Sequence, residues 1–181
     1  VQGLRGRLGV TPFAGLFDDD PTAFLKLELR GSGYHDILDD GRYVLAGRGR
    51  IGSIVADAFD DVPNPRRFYS GGGGSVRGYQ ENIIGPLDDR NDPIGGLSVA
   101  EAGVEIRARV WGDLGVVAFT EAGVVGNDTL PDLAAGVQVA AGVGFRYYSP
   151  IGPIRVDVGF PLNGRDADDL FQAYFSIGQA F

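Results

Sequence analysis

Cysteine is absent, so the chain has no disulfide framework and no thiolate metal site. A single histidine, His35, leaves too few imidazoles for a histidine-based zinc centre. No run approaches the ~20 apolar residues of a transmembrane helix. Positive charge is in deficit: the formal net charge is −8, which argues against a nucleic-acid partner. No metal or cofactor is expected from any motif. No signal-peptide pattern opens the chain. It begins in the strand-like VQGLRGRLGV, and the expectation is a mature or truncated form of a longer protein.

What is present is glycine, 30 residues of it among 181, without the Gly-X-Y period of collagen. Interior glycine costs a helix ~1 kcal/mol relative to alanine, so this spacing favours strands and turns. Period-two alternation is strong. Leu25, Leu27 and Leu29 alternate with Lys26, Glu28 and Arg30. Ala100, Ala102, Val104, Ile106, Ala108 and Val110 alternate with Glu101, Gly103, Glu105, Arg107 and Arg109. Val137 to Tyr147 repeats the pattern, and Ile154, Val156, Val158 and Phe160 oppose Arg155, Asp157 and Gly159. Eight strands are predicted: 2–12, 22–36, 42–56, 97–111, 114–125, 136–149, 153–161 and 170–181. Most have the length that a tilted strand needs to cross a bilayer, ~9–11 residues.

Alternation alone allows a soluble β-domain with its apolar face inward. It also allows a transmembrane barrel with that face on lipid and its charges in the lumen. Strand length and mid-strand charges of both signs favour the all-β, antiparallel transmembrane barrel. Links at 37–41, 112–113 and 150–152 are short; those at 13–21, 57–96 and 126–135 are longer, and 162–169 is intermediate. Barrels pair short periplasmic turns with long external loops, which puts the carboxyl end on the periplasmic side.

The long connection 57–96 carries Pro63–Tyr69, the glycine run Gly71–Gly74, and then Ser75-Val76-Arg77-Gly78-Tyr79. A loop of this length is functional or disordered. The run lacks the Gly-Lys-Ser/Thr of a phosphate-binding loop, and Gly47-Arg48-Gly49-Arg50-Ile51-Gly52 lies inside a strand with no helix after it. His35 beside Asp36 reads as a turn residue rather than a catalytic dyad. Acidic groups at Asp18–Asp20, Asp60–Asp61, Asp88–Asp89 with Asp92, and Asp166 with Asp168–Asp169 are assigned to external loops. They read as solvated surface, with cation bridging to lipopolysaccharide phosphates as a remote alternative.

Val76-Arg77-Gly78-Tyr79 after the glycine run resembles the tip of the sixth external loop in the BamA/TamA family of outer-membrane assembly factors. Phe119-Thr120-Glu121-Ala122-Gly123 resembles that family's Phe-x-Asp-x-Gly strand motif, with Glu for Asp. Gly144-Phe145-Arg146 and Ser149-Pro150-Ile151-Gly152-Pro153-Ile154-Arg155 resemble its penultimate hairpin. Phe160-Pro161-Leu162-Asn163 and the ending Phe175-Ser176-Ile177-Gly178-Gln179-Ala180-Phe181 resemble its last strands, with a lean toward TamA.

The resemblance implies that residues 1–181 are the carboxy-terminal half of a sixteen-strand barrel in the bacterial outer membrane, with periplasmic POTRA domains and the first eight strands absent. It implies a non-enzymatic factor that inserts or translocates other proteins through a lateral seam. Partners would be outer-membrane lipid, unfolded barrel or autotransporter clients, and a periplasmic or inner-membrane protein reached through POTRA domains. The motif residues are Gly71, Gly72, Val76, Arg77, Gly78 and Tyr79, with Arg77 expected on the lumen carboxylates Glu121 and Glu105. Phe119 and Gly123 form the strand motif; Phe175, Gly178 and Phe181 form the closing-strand signal. Alternatives left open are a two-partner-type exporter or passive barrel, an outer-membrane hydrolase using His35, and a soluble β-domain.

Overall fold

Eight antiparallel strands form one meandering sheet in chain order, each hydrogen-bonded to the next. The structure is a computed structural model; it describes residues 2–17, 20–134, 136–149, 152–166 and 168–177. The strands are β1 (Gln2–Phe17), β2 (Asp20–Asp36), β3 (Tyr43–Val55), β4 (Ser98–Trp111), β5 (Leu114–Gly126), β6 (Gln138–Ser149), β7 (Gly152–Pro161) and β8 (Gln172–Ile177). The sheet is open among the described residues, with β1 at one edge and β8 at the other.

The two faces are inverted relative to a water-soluble protein. Leu4, Leu8, Leu29, Ile51, Val104, Ile106, Val143, Phe145 and Phe175 are exposed on the convex face, while Arg77, Glu105, Glu121, Arg146, Arg155 and Asp157 are buried on the concave side. Alternation explains the strand residues of both sets, since successive side chains point to opposite faces, while Arg77 reaches the concave side on the connection between β3 and β4. In water such a surface would be a liability. Against hydrocarbon it is the favourable arrangement, and the charges keep a polar lumen.

Two expectations are corrected. The long external loop expected at 13–21 is not there: β1 runs to Phe17, β2 starts at Asp20, and pairing persists to Phe17↔Asp20. Pro12, Gly15 and Pro21 resemble turn signals. However, Phe13 and Phe24 face each other across the ladder, and their rings stack with centroids 4.7 Å apart. That contact holds the ribbon together beyond the proline; proline is tolerated in edge strands. The acidic group expected there in a loop is accordingly divided: Asp20 opens β2, and Asp18 and Asp19 lie outside the described residues. The last strand begins at Gln172, not 170, and is described to Ile177. Gly178 and Phe181 of the expected closing signal lie outside the described residues.

The connections at one end of the sheet span 37–42, 112–113 and 150–151, and at the other end 56–97, 127–137 and 162–171. The long ones fold over the sheet. An apolar plug caps the concave side: Phe24, Ile54, Val62, Phe68, Leu97, Val99 and Val125 form one buried cluster, with Phe13, Ala56 and Phe59 packed on it. Phe68 reaches Gly52, where a Cβ would collide with its ring.

The inversion yields a direct test. Val104→Arg, on the convex face of β4, is expected to cost ~2–4 kcal/mol if that site lies at the bilayer midplane. Loss of heat-modifiable migration in detergent gels at a lower temperature than wild type would register it; an unchanged transition would place Val104 off the lipid face.

Candidate functional site: the lumenal arginine lock

The long connection descends into the concave side instead of spreading over it. Its stem is stitched by the bridges Phe68↔Gly96, Ser70↔Ile84 and Leu87↔Pro93. Arg67 is buried in the stem and satisfies three carbonyls, donating from Nε to Val62 O (2.8 Å), from Nη1 to Ile94 O (3.1 Å) and from Nη2 to Phe59 O (3.4 Å). Gly71 and Gly72 then take φ of 107° and 92°. These left-handed conformations disfavour any side chain. They turn the chain so that Gly72 N donates to Tyr79 O at 3.2 Å, which presents Ser75–Gly78 as a tight tip.

Arg77 lies at the bottom of that tip and is 2% exposed. Its Nη2 donates to Glu105 Oε2 (2.8 Å) and Glu121 Oε1 (2.7 Å), its Nε to Glu121 Oε1 (3.1 Å), and its Nη1 to Asp157 Oδ2 (3.2 Å). Its backbone N–H adds a bond to Glu121 Oε2 at 2.7 Å. The guanidinium also sits 3.6 Å from the ring centroid of Phe119, a cation–π contact in a desolvated place. Burial alone would lower the Arg77 pKa. The hydrogen bonds to Glu121 and the charges of Glu121, Glu105 and Asp157 outweigh it and hold the cation above the ordinary arginine range. Only arginine presents a planar, multi-pronged donor set that can serve three carboxylates together.

The carboxylates have further partners. Arg146 Nη1 reaches Asp157 Oδ1 at 2.6 Å and Arg155 Nη2 reaches Asp157 Oδ2 at 3.1 Å. Arg107 Nε pairs with Glu105, and Arg48 Nη2 meets Glu121 Oε1 at 3.0 Å. The result is a continuous network from β3 to β7 with Arg77 at its centre.

Space for the loop comes from glycines on the inner wall. A Cβ on Gly159 would stand 2.6 Å from Gly78 N, and one on Gly123 would stand 2.8 Å from Val76 Cγ2. At Gly142 it would collide with Phe119, and at Gly144 with Asp157. Beside these, Tyr174 Oη accepts from Gly78 N (3.1 Å) and donates to Tyr79 O (2.7 Å). Tyr79 donates to Val139 O (3.1 Å) and Asn163 Oδ1 (3.0 Å). Its phenol pKa is raised by burial and by the Asp168 charge, so it remains a donor. Val76 and Tyr79 close a second buried cluster with Ile83, Ile84 and Ala140.

The structure therefore brings Gly71, Gly72, Val76, Arg77, Gly78, Tyr79, Glu105, Glu121, Phe119 and Gly123 into one place. Phe175 is elsewhere, 70% exposed on the convex face of β8. His35 is exposed at the outer end of the β2 alternation while Asp36 is buried, so the two point to opposite faces. Sequence reasoning missed Asp157, Arg146, Arg155 and Tyr174 as parts of the site. Asp157 and Arg155 were visible as the polar half of the Ile154–Phe160 alternation. Nothing local marked Tyr174, whose role depends on β8 reaching the loop. Among the described residues no three His, Cys, Asp or Glu are grouped to hold a metal ion. Of the loop acids, Asp168 binds Arg165 and Asp169 accepts from Gln80 and Gln172.

An open sheet of long antiparallel strands with an inverted polar face and an inward-locked loop defines the class of outer-membrane β-barrel proteins. The Omp85 superfamily domain matches residues 1–181, and the chain belongs to that superfamily. It is 35% identical over 180 residues to the outer membrane protein assembly factor BamA of Nitratidesulfovibrio vulgaris (strain Hildenborough), covering 96% of this chain and 22% of that protein. BamA of Neorickettsia risticii (strain Illinois) is 29% identical over 178 residues, 93% of this chain and 23% of its own length. The fold is similar to the crystal structure of BamA from Haemophilus ducreyi lacking POTRA domains 1–3, with a TM-score of 0.69, 22% identity, and coverage of 83% of this chain and 34% of that one. The chain thus spans between a fifth and a quarter of the length of the two curated relatives, and about a third of that crystallised chain. The lean of the closing residues toward TamA finds no support in them.

Removing Arg77 leaves three carboxylates without their central cation. Breaking a buried ion pair by deleting one partner costs ~3–5 kcal/mol. Arg77→Ala is expected to release the tip and expose Tyr79 to chymotrypsin on the folded barrel, and Arg77→Lys is expected to restore protection only in part. Equal protection of Tyr79 in wild type and Arg77→Ala would show that the aromatic contacts hold the tip alone. Gly159→Val is expected to release it too, by displacement rather than loss of charge, with the same readout.

Proposed function

We propose that this chain is the carboxy-terminal half of the barrel of an outer-membrane protein that inserts or assembles other outer-membrane proteins, without catalysis of its own. The observation that carries the reading is the loop tip held on the inner wall by Arg77, Glu105, Glu121 and Asp157. A passive pore has no need of a connection that fills its lumen at so high a cost in desolvated charge. The names of the relatives support the same activity.

The sheet edges support the reading of a portion. Unpaired backbone N–H and C=O groups on a lipid-exposed edge cost several kcal/mol each. β1 and β8, at the two edges, both need neighbours, which eight further strands of the same barrel would supply. POTRA domains would precede those strands in the longer protein and supply its periplasmic contacts. In the assembled barrel β8 would border the seam, where a client strand can pair with exposed backbone groups. The fixed loop would then brace the wall while that edge opens.

Complementation tests the reading. In a strain depleted of the full-length protein, wild type is expected to restore the folded level of outer-membrane barrels. Arg77→Ala, at equal abundance in the membrane, should restore less than about a tenth of it, the loss that ~1.4 kcal/mol produces. Normal barrel levels during depletion, with loss of one secreted polypeptide, would replace assembly by export.

A further inference from the structure

A second feature of the concave face lies outside the lock. Arg7 of β1 stands directly opposite Arg30 of β2, and Arg30 stands directly opposite Arg50 of β3. Like charges facing each other across strands destabilise a sheet. Arg5 and Arg48 lie one step along the same face, so β1 and β3 each carry two arginines at alternate positions. All five line one cavity of about 760 Å³, closed on one side by Gly74 of the loop tip and by Glu101.

The carboxylates within reach are too few. Glu28 accepts from Arg30 (2.9 Å) and Arg50 (2.7 Å), and Glu101 meets Arg50 at 3.2 Å while also accepting from Ser75. Arg48 is drawn to Glu121. Neither Arg5 nor Arg7 has an ion-pair partner among the described residues. A protein of net charge −8 has therefore gathered five arginines around one lumenal trough, where Arg30, Arg48 and Arg50 share Glu28, Glu101 and Glu121.

We propose that this trough holds an extended acidic polypeptide segment with carboxylates at alternate positions. The geometry favours that occupant over others. The cavity opens on the lumen, opposite the lipid-facing Leu4, Leu8 and Leu29, so a membrane headgroup is on the wrong side. Its volume far exceeds one small anion. Arginines two residues apart on a strand are ~6.6–7 Å apart, which is the same-face repeat of an extended peptide. Two parallel pairs, Arg5 with Arg7 and Arg48 with Arg50, can flank such a peptide and fork its carboxylates. The inference stands without the assembly reading, because it concerns what the wall binds and not what the barrel does.

The test uses the full-length protein in detergent micelles and a fluorescein-labelled ten-residue peptide of alternating Asp and Ser, followed by anisotropy. The expected result is saturable binding that weakens with salt, with no binding of the Asn-for-Asp peptide. Arg7→Gln and Arg30→Gln should each weaken it about tenfold, as loss of a charged hydrogen bond implies. Arg109→Gln, whose guanidinium stacks on Tyr148 away from the trough, should leave it unchanged. Heat-modifiable migration checks that each variant is folded. No binding to wild type, equal binding of the Asn peptide, or unchanged affinity in both trough variants would overturn the proposal. So would full displacement of the peptide by equimolar pyrophosphate, which would make the trough a simple anion site.

Discussion

A guanidinium surrounded by three carboxylates on one wall, with little water around it, sets the terms for the rest of this molecule. Desolvating these groups is costly, and the attraction between them offsets that cost only if geometry is near ideal and the remaining lone pairs are filled. The inner wall meets the condition by placing Glu105, Glu121 and Asp157 on three different strands, β4, β5 and β7, within reach of one side chain. Their mutual distances depend on the register of every strand between β4 and β7. A one-residue slip in any of those ladders would send a carboxylate to the lipid side. The lock and the register therefore specify each other.

Glycine is the complement of that constraint. The loop approaches the wall backbone to backbone, which is possible only where the wall has no side chains. Gly123, Gly142 and Gly159 lie on successive strands on the inner parity; Gly123 and Gly159 lie directly under the tip, and Gly142 makes room for the Phe119 ring on which Arg77 rests. The high glycine content thus has two sources, turns at one level and a corridor for the loop at another. The second is the more demanding at Gly159, where a methyl group meets the backbone of Arg77 and Gly78 rather than a flexible side chain.

Period-two alternation made the strands and their faces legible, because lipid on one side and charged lumen on the other amplify the contrast between successive residues. Strand ends were less legible. Pro12, Gly15 and Pro21 signal turns locally, and only the cross-strand partners of Phe13 and Ala14 show that the ribbon continues. Arg77, Glu105 and Glu121 could be named because each belongs to a motif or a strong alternation. Asp157 shows its face in the Ile154–Phe160 alternation, but nothing in that window ties it to Arg77. It joins the site because three ladders add up to the right height, and that sum is a property of the sheet, not of any window of sequence. The opposed arginines of β1–β3 were hidden for the same reason: two residues 23 or 20 positions apart become neighbours only once register is known.

The β1–β2 ribbon outreaches its neighbour. Residues 20–24 of β2 continue beyond Leu25↔Val55, the last pair with β3. At ~3.3 Å per residue this is roughly 16 Å of additional ribbon. It rises on the side where the long connection enters. Phe13 and Phe24 lean on the apolar plug, the Lys26 ammonium donates to Arg66 O at 2.6 Å, and Arg66 lies over the Phe13 ring. The extension therefore acts as a parapet. Anything approaching the loop stem laterally from the β1 side, whether a protease, an antibody or a neighbouring barrel, meets a two-stranded wall first, and the stem is accessible mainly from above.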